Sequence, residues 1–177
     1  FMQVVAARFQ IPIADYAALY DFSIRRPEDF WRLIWEFGAV RGTMGERIVE
    51  NLDRMPGAVF FPDATLNFAD NLLADRSSSP ALIFKGEDRP LRVLTHADLY
   101  HAVAGFAAGL RREGVKPGDR VAGYLPNLPE AIIAALGTAA VGAVWSSCSP
   151  DFGVPGVLDR FGQIEPRVLV AADGYTY

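Results

Sequence analysis

The fold of this chain is indicated first by residues 142–153, which read GAVWSSCSPDFG. The apolar beginning of this stretch is typical of a short buried strand, and the small polar residues, Pro, Asp and Gly that follow are typical of its end. Ligand crevices in open α/β sheets form outside the carboxyl ends of the strands. Because Ser and Gly allow a ligand to approach the backbone closely, the stretch predicts part of a ligand site.

Predicted strands and helices alternate around this stretch, which indicates an α/β fold. The strands are expected at residues 120–125, 143–147 and 167–171, and the helices between them at residues 129–141 and 154–164. Strands that alternate with helices of this length form right-handed βαβ units and a parallel sheet. One edge of that sheet is then expected to hold the strand ends at residues 126–127, 146–151 and 173–174.

A β-hairpin and a long helix are predicted before these units. Residues 81–85 and 91–94 are two apolar runs that flank a polar loop containing Gly, which is a hairpin pattern. Thr95 and Asp98 have the spacing of a capping box, so a helix is expected to begin there. Gly114 follows the amphipathic pattern and predicts the end of this helix.

The amino-terminal part, from Asp15 to about Gly38, is helical in pattern and rich in aromatic residues. Pro27 is expected at the first position of a helix, because its ring fixes a helical φ and its missing N–H costs nothing there. Large apolar side chains then recur at helical spacing: Phe30, Trp31, Ile34, Trp35 and Phe37. An aromatic cage or a partner-binding helix is one interpretation. A helix docked on the body of the same protein is favoured, since such stripes usually face a core.

Composition restricts the function classes. The chain has 177 residues, of which 51% are hydrophobic and 21% charged, with a formal net charge of -4. The mild acidity and the absence of a basic run longer than a pair argue against nucleic-acid binding. The sequence has no apolar run of membrane-spanning length. A single cysteine excludes an internal disulfide and favours a reducing, cytoplasmic location. The chain begins with Phe1 rather than Met, so we expect a piece of a longer protein.

Several catalytic signatures are absent from the sequence. It has no G-x-G-x-x-G dinucleotide fingerprint and no Walker phosphate loop. No metal site is predicted, because His96 and His101 are five residues apart on a predicted helix and would not share a metal ion. Residues 151–153 read DFG, but the other protein-kinase motifs are missing, so we reject a kinase.

Cys148 and Asp151 each allow two interpretations. Cys148 is either a nucleophile or a small buried thiol, and the second is favoured because the sequence shows no nearby base. Asp151 is either a general base or a residue that holds a turn or caps the next helix, and the structural role is favoured.

Beyond these local patterns, residues 142–153 and the continuation VLDRFGQIEP at residues 157–166 closely resemble acetoacetyl-CoA synthetases, also called acetoacetate–CoA ligases. These enzymes belong to the adenylate-forming acyl-CoA ligase superfamily. The resemblance extends upstream through residues 116–122 and 126–127, and residues 27–31 look like the amino-terminal docking segment of acetyl-CoA synthetases. The residues that identify the acetoacetate family form the predicted strand end: Trp145, Ser146, Ser147, Cys148, Phe152 and Gly153.

The resemblance implies a helical docking segment at residues 1–62 and the first part of an AMP-binding, or adenylation, domain at residues 63–177. It also implies a two-step reaction of acetoacetate with ATP, magnesium and CoA. The phosphate loop, the adenine-binding motifs and the catalytic lysine of the family are expected after Tyr177. We therefore expect no catalytic residue and no bound cofactor in this chain alone, with the remainder of the same enzyme as its partner.

The resemblance further implies that Ser149, Pro150 and Asp151 border the CoA entrance, because the corresponding loop of acetyl-CoA synthetases passes near the CoA nucleotide. Acetyl-CoA synthetases have Phe and Gly residues in this loop. Near Tyr177 they also carry a basic residue that meets a CoA phosphate, and the matching position here is a tyrosine. Both departures put a direct transfer of the CoA site in question, and a loop that only shapes the sheet edge is the rival interpretation.

Two other functions remain open from the sequence. One is a ligase for another short- or medium-chain acid, and the other is a non-catalytic α/β binding or interaction module. The high apolar fraction also predicts exposed apolar surface where the rest of the protein would pack, and hence a tendency to self-association.

Overall fold

The structure, a computed structural model, describes residues 1–87 and 89–174. Its internal contacts divide the chain into two units, the first ending at Leu66 and the second beginning at Asn67. This division lies close to the predicted domain boundary after residue 62. The assignment of the first unit as a docking segment stays a prediction.

Three helices and four two-residue strands form the first unit. The helices are α1 (Met2–Phe9), α2 (Tyr16–Arg25) and α3 (Pro27–Phe37), and the strands are β1 (Gly42–Thr43), β2 (Val49–Glu50), β3 (Val59–Phe60) and β4 (Thr65–Leu66). Strand β1 pairs with β4 and β2 with β3, both antiparallel. The helical segment predicted across residues 15–38 thus consists of two helices, and Pro27 begins the second as expected.

Helix α1 was not predicted, because its sequence carries no start signal. Its N-cap residue, Phe1, makes no side-chain capping hydrogen bond. The helix is instead held by packing, since Val5 is fully buried against Phe22 and Leu33 in the core of this unit. Tertiary contacts of this kind supply most of the stability of short helices.

The aromatic residues of α3 pack largely within the first unit. The ring of Trp31 lies 5.3 Å from that of Phe60, and the ring of Trp35 lies 5.1 Å from that of Phe61. Phe37, at the end of the helix, is 56% exposed. These contacts support the core-facing interpretation of the stripe.

The second unit contains the predicted hairpin and βαβ units. Its elements are α4 (Phe68–Leu72), β5 (Pro80–Phe84), β6 (Arg92–Thr95), α5 (His96–Arg112), β7 (Arg120–Tyr124), α6 (Pro129–Ala140), β8 (Val144–Cys148), α7 (Val154–Gly162) and β9 (Val168–Ala171). Strands β5 and β6 pair antiparallel, which confirms the hairpin. The capping box is confirmed too, because Asp98 N–H donates to Thr95 Oγ1 at 3.1 Å and Thr95 N–H donates to Asp98 Oδ2 at 3.0 Å.

The predicted parallel sheet is confirmed, with the strand order β8-β7-β9. The connection through α6 leads from β7 to one neighbour, and the connection through α7 leads back across β7 to the other. When two such crossovers run in opposite directions with the same right hand, their helices lie on opposite faces of the sheet. This arrangement is observed. Val121 packs in one cluster with Leu110 of α5 and with Val141 at the end of α6, whereas Ala122 packs with Phe161 of α7.

Gly123 of the central strand lies directly beneath the ring of Trp145. A Cβ atom added at Gly123 would lie 2.4 Å from Cη2 and Cζ2 of Trp145, closer than side chains can approach. The indole ring is half-buried and packs against the cluster around Val121. The Trp145 side chain of β8 can therefore take this position only because β7 has a glycine at position 123.

We predict that Gly123→Ala destabilises the protein by about 1–3 kcal/mol, the usual cost of overpacking a filled core. Thermal denaturation of the full polypeptide measures this as a lower Tm. Gly105→Ala is the matched control: a Cβ there meets no atom within 4 Å, and the residue is exposed on α5. That substitution should raise stability by about 0.5–1 kcal/mol through helix propensity. Equal effects of the two substitutions would contradict the contact with Trp145.

Candidate functional site: the carboxyl edge of the sheet

The carboxyl ends of the three parallel strands meet at one edge, as the sequence predicts. Tyr124, the last residue of β7, is paired with Cys148 of β8 and with Ala171 of β9. The segments that follow therefore leave the sheet side by side: residues 125–128, 149–153 and 172–174. Ligand crevices of α/β sheets form at this edge.

Ser149 and Asp151 form a tight turn directly after β8. Ser149 Oγ donates to Asp151 Oδ2 at 2.6 Å, and the N–H of Asp151 donates back to Ser149 Oγ at 3.3 Å. The N–H of Phe152 donates to the carbonyl of Ser149 at 3.2 Å. These contacts support the turn-holding interpretation of Asp151. Asp151 is not the N-cap residue of α7, because Gly153 occupies that position.

Tyr124 holds this turn from the central strand, and sequence reasoning missed it. The Tyr124 ring packs against the buried cluster of Ala122, Cys148 and Phe161. Its hydroxyl lies 2.8 Å from the carbonyl oxygen of Pro150 and 3.0 Å from that of Phe152. A tyrosine at the last position of a central strand is the available sequence signal, because its side chain is long enough to reach the neighbouring strand end.

Phe152 is held on its other side by the helix that follows. The guanidinium carbon of Arg160 in α7 lies 4.2 Å from the centre of the Phe152 ring, a cation–π contact. The ring also lies close to Gly156 of the same helix, where an added Cβ would make an ordinary van der Waals contact with Phe152 Cδ1 at 3.4 Å. Phe152 is nevertheless 39% exposed. It therefore forms part of the surface of the strand-end loop.

Two residues of β8, Trp145 and Cys148, pack against the rest of the second unit rather than face a ligand. Cys148 is 8% exposed and packs against Ala122 and Phe161, which supports the buried-thiol interpretation. Trp145 covers Gly123. Ser146 is half-buried, and Ser147 is exposed. On β8 and the loop that follows it, the surface available to a ligand at this edge is therefore provided by Ser147 and by residues 149–153.

A small cleft of about 130 Å³ lies beside Asn127, after β7. It is lined by Leu82, Ile83, Phe84, Asn127, Leu128, Pro129 and Ile132. Glu130, next to it, accepts a hydrogen bond from Arg92 at 2.9 Å. Partial burial alone would raise the pKa of Glu130, but the hydrogen bond from Arg92, a backbone hydrogen bond and the charges of Arg92 and Arg89 together outweigh this and hold that pKa below its usual value. The carboxylate is thus committed to an ion pair between the hairpin and α6.

The two histidines do not form a metal site with each other. His96 lies 3.7 Å from Asp75, and the ring of His101 makes an edge-to-face contact with that of Tyr100. Within residues 1–87 and 89–174, no group of three or more His, Cys, Asp or Glu side chains could hold a metal ion. In the same ranges, no helix is long and apolar enough to cross a membrane.

Residues 70–176, which include the sheet and its carboxyl edge, match the model of the family described as AMP-binding enzyme. The chain belongs to this family. Its AMP-binding region contains every strand of the parallel sheet and the whole strand-end loop.

Acetoacetyl-CoA synthetases are among the relatives of this AMP-binding chain. That of Rhizobium meliloti (strain 1021) is 49% identical over 177 residues, which are 100% of this chain and 27% of the relative. That of Mus musculus is 38% identical over 182 residues, again 100% of this chain and 27% of the relative. A malonamoyl-CoA synthetase of Penicillium aethiopicum is 35% identical, with 100% and 26% covered.

A solved structure gives the same result. The acetoacetyl-CoA synthetase from Streptomyces lividans superimposes with a TM-score of 0.90 at 46% identity, over 99% of this chain and 28% of that one. The resemblance to acetoacetyl-CoA synthetases is thus confirmed. The chain spans about a quarter of the length of the relatives it matches. The tyrosine near the end of the chain at which the resemblance implies a basic residue in acetyl-CoA synthetases lies outside the described residues.

Proposed function

We propose that this chain is the amino-terminal part of an ATP-dependent acetoacetate–CoA ligase. The whole enzyme would convert acetoacetate, ATP and CoA into acetoacetyl-CoA, AMP and pyrophosphate. One observation carries the proposal. Over its whole length, the chain matches acetoacetyl-CoA synthetases at up to 49% identity, and 99% of it superimposes on the structure of one of them.

The chemistry proceeds in two steps. The carboxylate of acetoacetate attacks the α-phosphate of ATP and releases pyrophosphate, and the CoA thiol then displaces AMP from the acyl-adenylate. The first step brings two anions together, which requires hydrogen-bond donors and a cation. Among the described residues, no group of three or more His, Cys, Asp or Glu side chains could hold a metal ion. We assign the magnesium ligands and the adenylation step to the remainder of the polypeptide, where the resemblance places the phosphate loop and the catalytic lysine.

The contribution of this chain is a wall of the CoA entrance, formed by Ser149, Pro150 and Asp151. Three features support this part of the proposal. The loop lies at the carboxyl edge of the sheet, Ser149 and Asp151 are exposed, and hydrogen bonds to Tyr124 and within the turn fix its shape. A loop with a fixed shape loses little conformational entropy when a ligand binds.

The remainder of the same polypeptide is the main partner. Apolar side chains on the α7 face of the sheet remain exposed: Val144 at 51% and Leu169 at 54%, with Leu158 of α7 at 68%. Parallel sheets are normally covered on both faces. We propose that the rest of the enzyme covers this surface, that the isolated chain self-associates through it, and that the enzyme acts in the cytoplasm.

A ligase for another short- or medium-chain acid is the second candidate. The malonamoyl-CoA synthetase of Penicillium aethiopicum matches the whole chain at 35% identity. This region is therefore shared between relatives whose names differ in the acid. A non-catalytic module is less well supported, because the relatives described above are CoA synthetases that match the whole chain.

Acid specificity separates the first two candidates. We predict that the full polypeptide forms acyl-CoA from acetoacetate with a kcat/KM at least tenfold above that for acetate, butyrate or malonamate. The measurement is pyrophosphate release with ATP, magnesium and CoA. A clear preference for one of the other acids would support the second candidate, and inactivity with all of them would support a non-catalytic module.

The isolated chain of 177 residues should be inactive in the same assay. It lacks a phosphate-binding loop in its sequence and a metal-ligating cluster among its described residues. Pyrophosphate release above background from ATP and acetoacetate, by the purified chain alone, would contradict the assignment of the adenylation step to the remainder of the polypeptide.

Asp151→Ala in the full polypeptide should raise the KM for CoA by about threefold to tenfold, the effect of one lost hydrogen bond. The KM for ATP should change less, because adenylation precedes CoA binding. Asp151→Asn is the matched control, since it removes the charge but keeps an oxygen that accepts from Ser149. It should have the smaller effect, and an unchanged KM for CoA in Asp151→Ala would contradict the placement of the CoA entrance.

A further inference from the structure

Tyr124 connects the most deeply buried strand of the sheet to the most exposed loop at its edge. Val121 and Ala122 of the same strand are 0% exposed, whereas Ser149 and Asp151 are exposed. The Tyr124 ring is packed between these regions, against Cys148 and Phe161. The ring is partly buried, and its packing against these side chains together with the two contacts of its hydroxyl restricts the rotamers available to it.

The hydroxyl acts on two carbonyl groups of the loop. It lies 2.8 Å from the oxygen of Pro150 and 3.0 Å from that of Phe152. A single proton is shared between these acceptors, and both distances lie in the hydrogen-bonding range. The carbonyls of two alternate residues of the loop, Pro150 and Phe152, therefore both face Tyr124.

The orientation of these peptide groups also fixes the opposite side of the loop. In a trans peptide group the N–H points away from the carbonyl. The N–H groups of Asp151 and Gly153 therefore point away from Tyr124. The first donates to Ser149 Oγ and closes the turn, and the second lies at the N-cap of α7, where backbone N–H groups favour negatively charged partners.

We propose that Tyr124 is a positioning residue for the thioester-forming step. It orients the backbone of residues 149–153, so that this loop presents one fixed surface to CoA. The inference rests on the proposed function, because it uses the placement of the CoA entrance at this loop. It adds a residue that would not touch CoA and acts through the carbonyls of Pro150 and Phe152.

Tyr124→Phe in the full polypeptide tests the proposal, since it removes one oxygen atom and keeps the packed ring. The KM for CoA should rise by about threefold to tenfold, as expected for one lost hydrogen bond. Acetoacetate-dependent exchange of pyrophosphate into ATP needs no CoA, and it should stay within about twofold of the wild type. Tyr20→Phe is the control, because Tyr20 is 56% exposed in the first unit.

A second variant tests whether Tyr124 acts through the loop. Tyr124→Phe and Asp151→Ala together should raise the KM for CoA by less than the product of their separate effects, because both loosen the same turn. Effects that multiply fully would overturn the mechanism. If Tyr124→Phe instead raises the KM for CoA and the KM for ATP alike, and reduces exchange and thioester formation by the same factor, Tyr124 has only a structural role. That result would overturn the proposal as well.

The outcomes also separate this inference from the proposed function. A wild-type enzyme that forms acetoacetyl-CoA, with an unchanged KM for CoA in Tyr124→Phe, overturns the inference alone. A wild-type protein that forms no acyl-CoA overturns the proposed function. In that case, calorimetric titration of the wild type and of Tyr124→Phe with CoA still tests the positioning role of Tyr124. Weaker CoA binding by the variant supports this role, and equal binding overturns it.

Discussion

The hydrogen bonding of β7 on both of its edges is the constraint on which the AMP-binding region depends. Because both neighbours are parallel to it, each connection must cross the sheet, and the opposite directions of the two crossovers place helices on both faces. Val121 and Ala122 are consequently inaccessible to solvent. The same parallel pairing brings the carboxyl ends of all three strands to one edge, so the position of the candidate site follows from the packing of the central strand.

The loop after β8 shows how this buried strand influences an exposed surface. Serine and aspartate side chains close the turn locally, while the Tyr124 hydroxyl holds two of its carbonyls from the strand next to it. The Arg160 guanidinium fixes the Phe152 ring from the following helix. Contacts within the loop, from the neighbouring strand and from the following helix thus determine one short loop, and such over-determination is what gives a binding surface a single shape.

The stretch that best identifies the family is mainly a packing element. The Trp145 ring requires a glycine on the neighbouring strand, and the Cys148 thiol lies under α7. Within the described residues, the exposed polar groups next to these positions belong to Ser147 and to the loop that follows. A motif can therefore be diagnostic of a ligase while its best-defined residues support the sheet and the chemistry depends on residues elsewhere in the polypeptide.

The sequence by itself determined the elements whose signals are local: the capping box at Thr95, the hairpin before it, and the alternation of strands and helices. It also determined that the strand ends share an edge, because parallel strands allow no other arrangement. Only the tertiary structure decided that α1 forms, that Trp145 lies on Gly123, and that Tyr124 holds the loop after β8. These contacts join residues separated by up to 28 positions or depend on burial. Periodicity and short-range spacing in the sequence do not show which distant residues meet.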